Sequence, residues 1–454
     1  MTPSMWFLFF TVQILLNVSV NGNIDPLTLE DVFGATAKFS RSRTYAVHAY
    51  EPSVQAVAVT PDNATLVDPD YWDSDDFQSA TFDYDKFDLT LTKRVFSIND
   101  KNSLLSPLGL KLALAILYEA ATGPTKNEIA SVVGFDLDRK EVRRKFSTII
   151  ESLKKESPEY ILSLNSRIYV NKNAEPRQRF AAIAQEFYKT ELKNVNFFNP
   201  DVAANEINAW VSNTTYGNIP KLVEPDDMIG MVVLILNTLY FKGSWRHQFP
   251  PNATKPGPFY VTPKSQKTVQ FMNVKDQFYF TESANLDAKI LRMPYRSNKY
   301  AMYIIVPNSL TGLPRVLNNL SDLRVEINNL IERLVDVTLP KFQFEHSSRS
   351  NAILIQLGIR QAFELTASFP GISRGQRLDE TLRVSNVLQT CGIEVNEVGS
   401  IAYAATQVGI VNKFGEDSDV SFEVVANRPF LFLIQDELTR QLLFIGRVSD
   451  PTIV

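Results

Sequence analysis

Residues 394–414 read EVNEVGSIAYAATQVGIVNKF, a glycine followed by small side chains, then β-branched ones, closing on a lysine beside a phenylalanine. The run is too rich in Thr, Val and Ile for a stable helix, has no turn signal at its centre, and is too apolar for an ordinary linker. Its side chains sort with a period of two. Ser400, Ala402, Ala404, Thr406, Val408 and Ile410 form one set, small at the leading end, then β-branched, none charged. Ile401, Tyr403, Ala405, Gln407 and Gly409 form the other, bulkier and more mixed set. This is how a strand with one core-facing side is written. Gly399 gives the backbone freedom to turn where such a strand would begin.

The surrounding chain of 454 residues is 44% hydrophobic and 21% charged, enough for a large core. A net charge of −4 argues against a general nucleic-acid binder. A single cysteine, Cys391, excludes an internal disulfide framework. At the N-terminus, MWFLFFTVQILLNV (residues 5–18) is an apolar run too short for a membrane span, with small and polar residues after it. Residues 1–22 are therefore read as a signal peptide cut near Gly22, and the protein as secreted, with no membrane attachment. In a secreted chain the Asn-x-Ser/Thr triplets at Asn63, Asn213, Asn252 and Asn319 become candidate glycan sites and predict surface positions.

Residues 23–81 differ in character from the remainder of the chain. Across 67–88, eight aspartates stand among six aromatics with no periodicity. Two readings stand side by side: a disordered acidic extension, or a tethered acidic arm in which Tyr71 is sulfated. From residue 82 the chain becomes regular. In LSPLGLKLALAILYEAATGPT (105–125), Ser106 is a predicted N-cap with Pro107 at the first helical position, and Gly123-Pro124 is the stop. Thr125 to Glu128 reads as a capping box for a short helix ending near Gly134. Val142, Phe146, Ile149, Ile150 and Leu153 recur at helical spacing, opposite Lys140, Arg143, Arg144 and Lys154. Residues 231–241 and 299–307 are apolar on both faces, as in central strands, and 335–344 alternates as a half-exposed strand. Residues 430–446 read as a C-terminal hairpin. Helices early and strands later predict one α+β domain over residues 82–454.

Enzymatic chemistry finds no footing. The three histidines, His48, His247 and His346, are scattered without Cys or carboxylates at metal spacing, so no metal site is assigned. No phosphate-cradling glycine loop, nucleophile elbow or zinc-protease motif occurs.

Several phrases together resemble the serpin family. They are IYVNKNAEPRQRFAAIAQEFY (168–188), INAWVSNTTYGNIPKLV (207–223), LNTLYFKGSWRHQF (236–249), IEVNEVGSIAYAAT (393–406) and NRPFLFLIQDELTRQLLFIGRVSDP (427–451), in the family's order and spacing. The resemblance implies a single domain of three β-sheets and about nine helices with an exposed reactive-centre loop. It implies a suicide inhibitor of serine proteases, not an enzyme, acting as a monomer without a resident cofactor. Insertion of that loop into a sheet is established behaviour of the family. The resemblance sets Glu397, Gly399, Ser400, Ala402, Ala404 and Thr406 as hinge and inserting face, and Ser106, Asn237 and Gln389 in the sheet-opening region. Gly109 stands where the family usually has serine, and Gln389 where it usually has histidine. Counting as in the family places the cut bond between Lys413 and Phe414. A lysine on the acyl side suits trypsin-like proteases with an acidic specificity pocket. The long N-terminal extension with GIEVNE, AYAAT and NKF is similar to insect serpins that restrain melanization and Toll activation in innate immunity, by acting on clip-domain proteases of the haemolymph. Lys140, Arg143 and Arg144 fall where some serpins bind sulfated polysaccharides; the other reading of that face is an ordinary solvated one. A non-inhibitory carrier or storage serpin is the competing function.

Overall fold

The computed structural model describes residues 86–135, 138–154, 157–373, 382–400 and 421–453. The expected signal peptide, the acidic extension, Asn63, and the loop from Ile401 through Lys413 and Phe414 lie outside them. The described residues contain nine α-helices and fifteen strands.

β4 (Val233–Ser244, VLILNTLYFKGS) is the axis of the fold, because its first nine residues are buried on both faces. It pairs antiparallel with β2 (Tyr160–Asn171) on one side and parallel with β11 (Val384–Val395) on the other. β3 (Glu191–Val195) and β10 (Phe342–Arg349) complete the flanks, giving the order β10-β11-β4-β2-β3. A side chain on either face of β4 needs cover, and helices supply it. One face carries Ile235, Leu239 and Phe241 into the main core with α2 (Pro107–Ala120), a helix buried along its entire length. α1 (Lys86–Phe96) and α5 (Gln178–Tyr188) pack beside α2. The other face carries Leu234 and Leu236 into a smaller cluster with Ala203, Ile207 and Val211 of α6 (Pro200–Thr214).

The second sheet network has nine strands, and β6 (Ser265–Ser283) joins its two arms. The first half of β6 pairs with β5 (Lys255–Thr262) and its centre with β9 (Ile331–Pro340), which also carries β13 (Phe422–Val425). Its last residues pair with β7 (Ala288–Pro294), followed by β8 (Tyr300–Pro307), β14 (Phe430–Asp436), β15 (Leu442–Val448) and β1 (Ser103–Leu105). Counting the two arms separately, with the β4 sheet, gives the expected three sheets.

Ser106 caps α2 through the Gly109 amide with Pro107 next to it, and the C-terminal hairpin forms as expected. Two local expectations are corrected. α3 (Gly123–Val133) begins at Gly123, so Pro124 opens this helix instead of merely ending the last one. Proline is preorganised for a first turn, where its missing N–H is not needed. Glu128, freed from a capping box, accepts from the Arg360 and Gln361 amides instead. The run 335–344 is two strands in different sheets, broken at Lys341. A period-two pattern passes unbroken through a strand crossing, so alternation alone does not reveal the break.

Packing at the hairpin leaves no slack: a Cβ added at Gly446 would stand 2.2 Å from the Phe432 ring. Gly446→Ala should lower stability by about 1–3 kcal/mol, read as a lower urea midpoint with an unchanged m-value.

Candidate functional site

The seam between β4 and β11 is parallel, running from Val384 opposite Val233 to Gly392 opposite Tyr240. At the upper end of β11 the chain reverses. The Asn396 amide donates to the Gly399 carbonyl (2.9 Å), and its side-chain oxygen accepts from the Val398 (3.1 Å) and Gly399 (3.2 Å) amides. The chain then returns as β12 (Gly399–Ser400), antiparallel to β4, with Gly399 opposite Ser244 and Ser400 opposite Gly243. The first two residues of the periodic stretch are therefore already seated at the mouth of the seam.

Close packing explains why these residues are seated. A Cβ at Gly399 would lie 1.9 Å from the Gly243 carbonyl oxygen, so no other residue fits without backbone movement. Ser400 is fully buried, its hydroxyl 2.8 Å from that of Tyr295. Burial pushes the Tyr295 phenol up, so it stays neutral and available for this bond. Trp245 stacks on Tyr295, with ring centres 4.5 Å apart, and its indole donates to the Asn396 carbonyl (3.1 Å). Two main-chain bonds, from Trp245 to Val398 (2.8 Å) and from Phe249 to Glu397 (3.0 Å), hold the turn from the other side. The Glu397 carboxylate bonds Lys341 at 3.0 Å and Thr254 at 2.9 Å. Burial alone would raise its pKa, but Lys341 and Thr254 outweigh that and hold it below the usual glutamate value.

Halfway down the seam, Asn237 and Gln389 face one another across the pairing. The Gln389 side chain accepts from the Ser106 amide (2.8 Å) and donates to the Ser106 carbonyl (2.9 Å), tying β11 to the start of α2. A Cβ at Gly109 would stand 2.2 Å from Asn237 Oδ1, so the glycine opens the space that the Asn237 amide fills. Fully buried there, Asn237 has both side-chain polar atoms without a hydrogen-bond partner among the described residues. A buried unmet amide is an energetic liability of about 1–3 kcal/mol.

The family model described as serpin (serine protease inhibitor) matches residues 83–451. The chain belongs to the serpin family. A similar protein, serine protease inhibitor 2 of Anopheles gambiae, is 39% identical over 375 residues, covering 81% of this chain and 91% of the relative. The solved structure of Serpin48, described as a highly specific serpin in the insect Tenebrio molitor, superposes with a TM-score of 0.72 at 31% identity, over 80% of this chain and 96% of that one. Human thyroxine-binding globulin, solved with thyroxine, gives 0.73 at 26% identity, over 81% and 96%.

In this serpin the structure gathers Ser106, Asn237 and Gln389 into one contact group, and Glu397, Gly399 and Ser400 into another. Ala402, Ala404, Thr406, Lys413 and Phe414 lie outside the described residues. The basic helix face is partly spent. On α4 (Arg139–Leu153), Arg143 pairs with Glu119 and Arg144 with Glu141, whereas Lys140 is exposed and forms no ion pair among the described residues. Asn213 and Asn252 are exposed, but the Asn319 amide, where a glycan would attach, already donates to the Asn285 carbonyl. Cys391 is buried, and that burial pushes its thiol up. Sequence reasoning missed Tyr295, Trp245, Thr254 and Lys341. Trp245 stands in the quoted run 236–249, but nothing in its spacing announces contact with a hinge about 150 residues away.

Gly109→Ala should lower stability by about 1–3 kcal/mol, and adding Asn237→Ala should recover much of the loss, a coupling measurable by a double-mutant cycle. Because the Glu397 pKa is depressed, its contribution to the seated hinge is complete above the ordinary value of 4.5 and lost as pH falls through the lowered one. Hydrogen exchange of residues 396–400, corrected for intrinsic rates, should speed up below that range. Glu397→Gln should show the fast exchange already at pH 7.

Proposed function

We propose that this serpin is a secreted inhibitor that traps trypsin-like serine proteases by drawing its cleaved loop into the seam between β4 and β11. The supporting observation is the seated hinge: Ser400, buried opposite Gly243, already occupies the first place of a strand antiparallel to β4. Continuing that register residue for residue brings Ala402 to Phe241, Ala404 to Leu239, Thr406 to Asn237, Val408 to Ile235 and Ile410 to Val233. Opposed residues in an antiparallel pair share a face, so the uncharged set would enter the main core. Thr406 would bring a hydroxyl to the unmet Asn237 amide. Fourteen residues of strand span roughly 45 Å at about 3.3 Å each, so a protease acylated on Lys413 would be carried the length of the sheet. The intact fold is then held by a kinetic barrier while a more stable arrangement waits on cleavage.

Similarity to a serine protease inhibitor of a mosquito and to a serpin of a beetle supports an insect-type serpin; its proposed targets are clip-domain proteases of insect haemolymph and its proposed role the restraint of melanization. A sulfated polysaccharide cofactor would have to use Lys140 and displace Glu119 and Glu141 from Arg143 and Arg144.

Mixing with trypsin should give a complex that survives SDS. Lys413→Glu should slow its formation by about 100-fold or more, since the acidic specificity pocket then meets a like charge. Ser400→Arg should turn the inhibitor into a substrate, because its charge would have to enter the buried position. Recovery of cleaved protein alone, with no rise in melting temperature, would favour a carrier or storage role instead.

A further inference from the structure

At the lower end of the seam lies a polar depression of about 410 Å³, lined by Asp226, Asp227, Gly230, Arg349, Arg383 and Asn386 among others. Its acidic wall is a 3₁₀ turn, Pro225–Met228. Met228 of this turn packs with Leu234 and Leu236, so the turn covers the same sheet face as α6. Asp227 is engaged, accepting from the Glu224 amide at 3.0 Å and pairing with Arg349 at 2.9 Å. Asp226 and Arg383 form no ion pair among the described residues. Gly230 has a positive φ of 71° and no atom within 4 Å of where a Cβ would stand. The floor there is open.

The hinge register points into this depression. Lys413 is thirteen residues beyond Ser400, and thirteen residues back from Gly243 is Gly230. The count also fixes the side. Residues opposite Leu236 and Leu234 face the α6 layer, and Lys413 shares their parity. Hydrolysis of the Lys413–Phe414 bond adds one water, leaving an α-carboxylate on Lys413 and an α-ammonium on Phe414. The new end of the strand thus carries one cation on its side chain and one anion on its backbone.

We propose that this depression is a receptor for the new chain end, with Asp226 taking the Lys413 ammonium and Arg383 the Lys413 α-carboxylate. This rests on the loop-insertion reading of the function. The site matches the two charges of that chain end, the lysine ammonium already present and the α-carboxylate that cleavage creates, with opposite charges not already paired to each other. While Lys413 is still esterified to a protease its carboxylate is masked, and Asp226 acts alone. It then competes for the same ammonium with the acidic pocket of the protease and opposes return of the lysine to it.

The test uses the full chain nicked at Lys413 by trypsin and purified away from protease and complex. A carboxypeptidase selective for C-terminal lysine and arginine is added, and loss of Lys413 is followed by mass spectrometry. Docked, the terminal lysine should be removed at least about tenfold more slowly than in nicked Asp226→Asn or Arg383→Gln, a protection equivalent to about 1.4 kcal/mol of docking. The intact variants should melt with the parent, because neither residue is part of an ion pair among the described residues. If nicking raises the melting temperature but parent and variants lose lysine equally fast, the receptor is refuted and insertion stands. If nicking does not raise the melting temperature of the parent, insertion and receptor fall together.

Discussion

β4 and β11 are parallel neighbours, while the strands on their outer sides, β2 and β10, run antiparallel to them. A parallel pair is slightly weaker per residue than an antiparallel one. The only strand direction that improves this seam is one antiparallel to both members, and the chain leaving β11 turns back in that direction within a few residues. The rest of the structure follows from this arrangement. The α2 helix and α6 cover the two faces of β4, so whatever enters the seam must carry small or apolar side chains inward and is sheltered outward near its middle.

The seam is held closed by modest contacts. Gln389 ties β11 to the start of α2, Asn237 fills the space above Gly109 without a polar partner among the described residues, and the Glu397–Lys341–Thr254 group fastens the turn. None of these is a large apolar interlock of the kind that binds β14 to β15. Extensive apolar packing lies elsewhere, in the C-terminal hairpin and the layer around β8, whose eight residues are all buried.

The departures from the family pattern at Gly109 and Gln389 are mutually consistent. Gly109 gives room to Asn237, and Gln389 makes two bonds to the Ser106 backbone with its amide alone. Together they account for the space around Asn237 and for the tie between β11 and α2, while the Asn237 amide itself stays without a polar partner among the described residues. The paired state of Arg143 and Arg144 shows the reverse case, where a charge pattern legible in sequence is largely consumed by Glu119 and Glu141. Helical spacing reveals the Arg144–Glu141 pair on one helix, but it is blind to Glu119, an acid supplied by another helix.

By itself the sequence determined the start of a strand at Gly399–Ser400, the burial of β4 on both faces, the Ser106 cap and the terminal hairpin. Each is set by local periodicity or by chemistry within a few residues, which short-range rules capture. Only the tertiary structure decided that Ser400 rests against Tyr295, that Glu397 reaches Lys341, and that Asp226 and Arg383 share one depression. These are meetings of residues far apart in the chain, fixed by how the sheets pack and in what register their strands run. A two-residue period says which side of a strand faces inward; it does not say which partner waits there.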